Sequence, residues 1–181
     1  NADNPAGYGF GSFTVSSKGV ASGFYMLPDE TKVTFSTPVE TNGSLSLFSL
    51  LYKNGGSVLT QFYMNKGTAN ELSASLVDWF KKPEPSNSKS VVYKNGFGPL
   101  SLDVVGRKYV APTSGIALNA TAGSSNATID IHSMPNRISM NLTIATTGAT
   151  VVPPNTTNMV SVKFTTGTGL FSGGFTDAGR K

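Results

Sequence analysis

The chain contains no cysteine, a single histidine and few charged residues for its length of 181. The absence of cysteine excludes disulfides, thiolate metal sites and cysteine nucleophiles. Only 13% of the residues are charged, and the net charge is +4, with the basic residues somewhat concentrated between Lys81 and Lys108 and interrupted by Glu84 and Asp103. A nucleic-acid surface needs a denser basic patch, so we expect no nucleic-acid partner. No apolar run approaches the roughly 18 residues of a membrane-spanning helix, so we expect no membrane insertion.

Most of the chain alternates between apolar and polar residues, with many β-branched and aromatic types and almost no helical periodicity. About a dozen such runs follow one another at short spacing, as in β-sandwiches and β-barrels. The sequence therefore predicts an all-β fold: a single antiparallel β-barrel or β-sandwich, which a strand from a neighbouring subunit could complete. We place one all-β domain over residues 12–181, after an extended N-terminal segment over residues 1–11.

The clearest hairpin joins the runs 44–52 and 57–64 through the sequence Lys-Asn-Gly-Gly at 53–56. Asn-Gly between two alternating runs favours a tight turn, because such turns need positive φ at their centre. Both faces of these strands carry apolar residues. We therefore expect the hairpin to be central and covered on both sides.

Two segments near opposite ends of the chain, 13–24 and 164–175, carry the same pattern. Each reads as a strand, a glycine turn, an aliphatic residue, Ser-Gly and an aromatic residue. The first copy continues into another strand, Val33–Phe35, whereas only Thr176–Lys181 follow the second. If the two halves are homologous, the second lacks a strand that another copy of the chain could supply.

The segment Asn1–Gly11 has no evident place in a core, and its Tyr8 and Phe10 alternate as an inserted strand requires. An open sheet edge exposes amides and carbonyls that a neighbour's strand can pair. We therefore expect Tyr8 and Phe10 of one copy to meet Phe171 and Phe175 of the next. A head-to-tail contact of this kind does not close, so it yields a homopolymeric fibre.

The residues that could support catalysis are isolated in the sequence. His132 has no Gly-x-Ser-x-Gly nucleophile to serve. A glycosidase needs two carboxyl groups flanking a bond, but the spacing of Asp78 from Glu84 or Asp103 does not indicate convergence. Asp29 lies in a Pro-Asp-Glu turn, where its side chain is expected to cap the backbone. Since no metal-ligand cluster occurs either, we expect a non-enzymatic protein without a cofactor.

An alternative function rests on Trp79, the one tryptophan of the chain. An exposed indole can stack on a sugar ring, which would make the chain a carbohydrate-binding or adhesive module of a larger surface protein. A buried Trp79 would count against this role, because a lone tryptophan more often packs in the core. Glycans are also expected as attached groups, since Asn-x-Ser/Thr sequences occur at Asn42, Asn119, Asn126, Asn141 and Asn155.

Several short motifs occur in a characteristic order: Gly19–Gly23 with Leu27–Lys32, Leu51–Ser57, Val77–Lys81, Tyr93–Phe97, Val105–Pro112 and Thr166–Phe175. In this order they resemble a β-rich repeat domain of exported and surface proteins from Verrucomicrobia-type bacteria. The resemblance implies an extracytoplasmic β-domain without an assigned activity.

Composition and the first residues favour the same location. Few charges with many Ser, Thr, Asn and Gly are typical of secreted wall and surface proteins. The start Asn-Ala-Asp fits a mature protein from which a signal peptide has been removed. We therefore expect an extracellular structural protein, the subunit of a bacterial surface filament or surface layer.

Overall fold

The computed structural model describes residues 4–65, 67, 71–89, 93–113, 123–131, 137–147, 150–151 and 159–176. In these residues the fold is all-β, as predicted, and every strand pairing is antiparallel. The strands are β1 (Phe10–Val15), β2 (Val20–Met26), β3 (Lys32–Pro38), β4 (Ser44–Leu51), β5 (Gly56–Met64), β6 (Leu72–Lys81), β7 (Phe97–Gly106), β8 (Ala127–Ile131), β9 (Ile138–Ile144), β10 (Thr150–Val151), β11 (Ser161–Thr165) and β12 (Leu170–Gly174).

The chain divides into two compact units, Asn1–Lys108 and Tyr109–Lys181, at a boundary that the sequence analysis did not place. The described residues of each unit form two antiparallel sheets. The first unit has a sheet β1-β2-β3 and a sheet β4-β5-β6-β7. The second unit has a sheet β8-β9-β10 and a hairpin β11-β12.

One hydrophobic core lies between the two sheets of the first unit. Ala21 and Val33 enter it from the three-stranded sheet, and Leu45, Val58 and Trp79 enter it from the four-stranded sheet. Successive residues of a strand point to opposite faces, so alternate side chains of β5 are buried. The arrangement is that of a β-sandwich.

The predicted hairpin is present as β4 and β5, which pair along their whole length. A single helical turn, Tyr52–Asn54, joins the two strands. All three of its residues have positive φ, whereas Gly55 has a φ of −86°. Of the Asn54-Gly55 pair that the sequence analysis placed at the centre of the turn, Asn54 therefore has the left-handed backbone and Gly55 does not.

The expectation that both faces of this hairpin are covered is wrong. Phe48 is 62% exposed, and Leu50 and Leu59 are also exposed. Only the inward face of the four-stranded sheet meets the facing sheet, so alternate apolar residues are left on the outward face.

The first strand begins earlier than the sequence analysis placed it. Phe10 and Gly11, assigned there to the extended segment, pair with Met26 and Tyr25 of the same chain. Gly11 lies so close to β2 that an added Cβ would meet a carbonyl oxygen at 2.7 Å. The described part of the segment that precedes β1 is therefore residues 4–9.

Candidate strand-acceptor groove

The hairpin β11-β12 ends in a turn at 166–169 that only glycine can close. Gly169 has a φ of +73°, and an added Cβ would meet the ring of Tyr109 at 2.5 Å. The Tyr109 hydroxyl donates a hydrogen bond to the Thr166 carbonyl at 2.5 Å. Backbone conformation and ring contact therefore fix the start of β12.

The hairpins β1-β2 and β11-β12 have the same local structure. Gly23 lies opposite Phe13, and Gly173 lies opposite Val162. In both hairpins the glycine is pressed against the backbone of its partner strand. An added Cβ would meet the preceding serine's carbonyl oxygen at 2.2 Å in β1-β2 and at 2.1 Å in β11-β12. The repeat read from the sequence is therefore present in the structure.

The alignment of the two copies differs from the one that the sequence suggested. The sequence pattern matches Phe13 to Phe164, whereas the strand pairing matches Phe13 to Val162. The second turn holds one residue more, since Gly169 bonds to the carbonyl four residues back and Gly19 to the one three residues back. Ala21, Gly23 and Tyr25 then correspond to Phe171, Gly173 and Phe175.

The two hairpins differ in what lies beside their second strand. In the first unit, β2 also pairs with β3 on its other edge, and Ala21 is fully buried. In the second unit, no described strand pairs with the outer edge of β12. The corresponding Phe171 is 73% exposed, and Phe175 is 46% exposed. Two core-facing aromatic side chains are thus left uncovered at a free strand edge.

A groove of about 210 Å³ lies against this hairpin, within the second unit, and is lined by residues of β8, β11 and β12. Ile129 and Ile131 of β8 form one wall, and Phe171 and Phe175 form the other; Val162 lies among the further lining residues. None of the lining residues is charged. The sequence analysis identified the two phenylalanines, but not the aliphatic wall, because contact between sheets leaves no local pattern in a sequence.

The chemistry of the groove suits an extended peptide. The strand edge offers backbone amides and carbonyls at a regular spacing, and the walls offer apolar contacts for alternate side chains. Its volume exceeds the roughly 150 Å³ of an engineered apolar cavity that takes up benzene in another protein. An aromatic ring on an inserted strand therefore fits this space.

The side chains predicted as the donor are accessible. Tyr8 is completely exposed, and Phe10 is 58% exposed, although its backbone pairs with β2. The Phe10 ring contacts the edge of Phe24 with centroids 6.2 Å apart. Among the described residues, none covers the Tyr8 side chain.

Trp79 is fully buried in the first unit. Its ring packs edge-on against Phe97 with centroids 4.6 Å apart, and its indole N–H donates to the Tyr52 hydroxyl at 3.0 Å. A buried indole offers no face to a sugar ring, so the stacking role considered for Trp79 is not available in this fold.

The Tyr52 hydroxyl continues this network to a turn between β2 and β3. It donates to the Asp29 carboxylate at 2.5 Å. As predicted, Asp29 also caps its own turn, accepting bonds from the backbone N–H and the hydroxyl of Thr31. Burial, together with the hydrogen bond to the negative Asp29, raises the pKa of Tyr52 well above its ordinary value of 10. The network ties the turn to the core.

The carboxylates considered for glycoside hydrolysis have other surroundings. Glu84 accepts a bond from the buried Lys81 ammonium at 2.5 Å, and its second oxygen accepts one from the Ser88 hydroxyl. Asp78 and Asp103 are both exposed and lie on the neighbouring strands β6 and β7. His132 lies outside the described residues.

The expected glycosylation sites fall in different settings. Asn42 is exposed in the turn before β4, where its side-chain oxygen caps Ser44. Asn141 is exposed on β9, beside Thr128. The Asn126 side-chain amide instead donates to the carbonyl of Ile144 and accepts from its N–H. The amide nitrogen that a glycan would modify is therefore already hydrogen-bonded. Asn119 and Asn155 lie outside the described residues.

Comparisons with protein-family models, with curated proteins and with solved structures find no match to this chain. Within the described ranges, no group of three or more His, Asp or Glu residues could hold a metal ion. The same residues contain no helix long and apolar enough to cross a membrane.

Proposed function

We propose that this protein is a non-enzymatic extracellular structural subunit that polymerises by β-strand complementation into a bacterial surface filament or surface layer. The groove beside β12 accepts an extended strand, and the donor is the N-terminal segment, residues 1–10, of another copy. The observation that carries the proposal is the outer edge of β12, with which no described strand pairs, and the exposure of Phe171 and Phe175 beside it.

An inserted strand pairs the backbone polar groups of this edge and covers its apolar side chains. The donor backbone pairs with the amides and carbonyls of β12, as in peptide recognition by strand addition. Its alternate side chains cover Phe171 and Phe175, which otherwise remain in contact with water. Exposed edges that stay unpaired are a common route to uncontrolled association, so a dedicated donor also makes the contact specific.

The positions of the donor and the acceptor in the chain determine which kind of assembly the contact forms. The donor belongs to the first unit and the groove to the second, so each subunit can give one strand and receive one. A contact between two different surfaces extends indefinitely unless its rotation closes a ring. A head-to-tail fibre is therefore the expected assembly.

The alternative role as a carbohydrate-binding module has less support. It depended on an exposed Trp79, and the indole is buried in the core. No other observation on the described residues favours a sugar site over a strand-binding groove.

The proposal is tested by electron microscopy and sedimentation of the purified full chain and of two tyrosine variants. Tyr8→Ser removes the exposed donor ring and is expected to abolish or shorten fibres while the subunit stays folded. Tyr63→Ser is the matched control, because Tyr63 is exposed on the outward face of β5, in a different sheet from β1. Monomers from the unmodified chain, or equal loss of fibres in both variants, would contradict the proposal.

A further inference from the structure

We infer that the donor strand binds β12 antiparallel, in the position that β3 occupies beside β2, with Ala6 opposite Phe175, Tyr8 opposite Gly173 and Phe10 opposite Phe171. This inference rests on the proposed function, since it specifies the partner strand of the same groove. It fixes the direction and register of the inserted segment.

The first unit provides the template. There β3 pairs antiparallel with β2 and places Phe35 opposite Gly23. The Phe35 ring lies between two aromatic neighbours, with centroids 5.9 Å from Phe13 and 6.1 Å from Tyr25. An aromatic ring across from a strand glycine covers the backbone that the glycine leaves bare. Gly23 and Phe35 thus pack together as a pair across the two strands.

In the described residues of the second unit, the same glycine arrangement occurs without an aromatic strand beside it. By their strand pairing, Gly173 corresponds to Gly23 and Val162 to Phe13. Phe175, two residues after Gly173, then corresponds to Tyr25, two residues after Gly23. The missing element is an aromatic residue opposite Gly173, on a strand that runs antiparallel to β12. Tyr8 supplies it, since it is fully exposed and has a further aromatic residue, Phe10, two positions away.

The rest of the segment agrees with this register. With Tyr8 opposite Gly173, Pro5 lies opposite Thr176, which is beyond the last residue of β12. Proline cannot donate to a ladder, and the start of a strand is one of the places where it is tolerated. Phe10 reaches Phe171 only if its terminal pair with Met26 opens. The remaining five residues of β1 keep their partners.

Engineered cysteines test the direction, because the chain has none of its own. The antiparallel register brings Ala6→Cys next to Phe175→Cys, and Phe10→Cys next to Phe171→Cys. A parallel strand with Tyr8 at the same place would pair Ala6→Cys with Phe171→Cys instead. In the antiparallel register those two positions are four residues apart along the strand, about 13 Å at roughly 3.3 Å per residue. A disulfide needs Cα atoms within about 7 Å.

Each double variant is oxidised and run on non-reducing gels, and electron microscopy of the reduced sample records whether fibres form. Disulfide-linked ladders from the 6/175 and 10/171 variants, with none from the 6/171 variant, are the expected result. Ladders from the 6/171 variant, or fibres without ladders from either antiparallel variant, would overturn the register and leave the proposed function standing. Absence of fibres from the cysteine-free chain would remove the proposed function as well.

Discussion

Replacing Phe171 by serine separates a role in assembly from a role in folding. Phe171 is 73% exposed in the single chain, so most of its surface remains to be buried by a partner. Full burial of a phenylalanine side chain is worth about 1.5–3 kcal/mol, so the uncovered part contributes roughly 1–2 kcal/mol at each junction. Since about 1.4 kcal/mol corresponds to a tenfold change in affinity, we expect Phe171→Ser to weaken each junction by about 5- to 30-fold.

The critical concentration for polymerisation, measured by light scattering, reports this change directly. Thermal unfolding of the unassembled subunit should shift little, because a largely exposed side chain contributes little to folding. Phe48→Ser is the control, since Phe48 is 62% exposed but lies on the outward face of the four-stranded sheet. An unchanged critical concentration for Phe171→Ser, or an equal rise for Phe48→Ser, would refute the reasoning.

Two further predictions concern the stability of the fold, one in each unit. Gly173→Ala should destabilise the β11-β12 hairpin by a few kcal/mol, because the new Cβ would lie 2.1 Å from the Ser161 carbonyl oxygen; an unchanged denaturant midpoint would contradict this. Because the pKa of Tyr52 is raised in the folded protein, the Tyr52 hydroxyl ionises at a lower pH in the unfolded chain. The contribution of Tyr52 to stability is therefore complete below pH 10 and declines above it. Urea unfolding from pH 8 to pH 11 should show this decline in the unmodified chain and a smaller one in Tyr52→Phe, with the exposed Tyr8→Phe behaving like the unmodified chain.

The class of fold could be read from the sequence because β-structure leaves a local pattern. Alternation located the β4-β5 hairpin within a residue or so of its observed bounds. The repeat of Gly23 and Gly173 was also visible, since a strand glycine pressed against a neighbouring backbone cannot be replaced. The exact correspondence was not, because one extra residue in the second turn shifts the strand relative to the motif.

What the sequence could not provide is the contact between distant elements. Whether Phe48 or Trp79 is buried depends on which sheet lies opposite, and both faces of β4 and β6 carry apolar residues. For the same reason Phe171 and Phe175 could be named as contact residues, while Ile129 and Ile131 on the opposite wall could not. The division into two units after Lys108 follows from where contacts cluster, which no linker composition marks.

The central claim is that β12 receives a strand from another copy of the chain. Electron cryo-microscopy of the assembled protein, at a resolution that separates strands, tests it most directly. The account predicts fibres in which one additional strand, continuous with β1 of the neighbouring subunit, lies along β12 and covers Phe171 and Phe175. Fibres in which this edge is empty, or is covered by a segment of its own subunit, would contradict it.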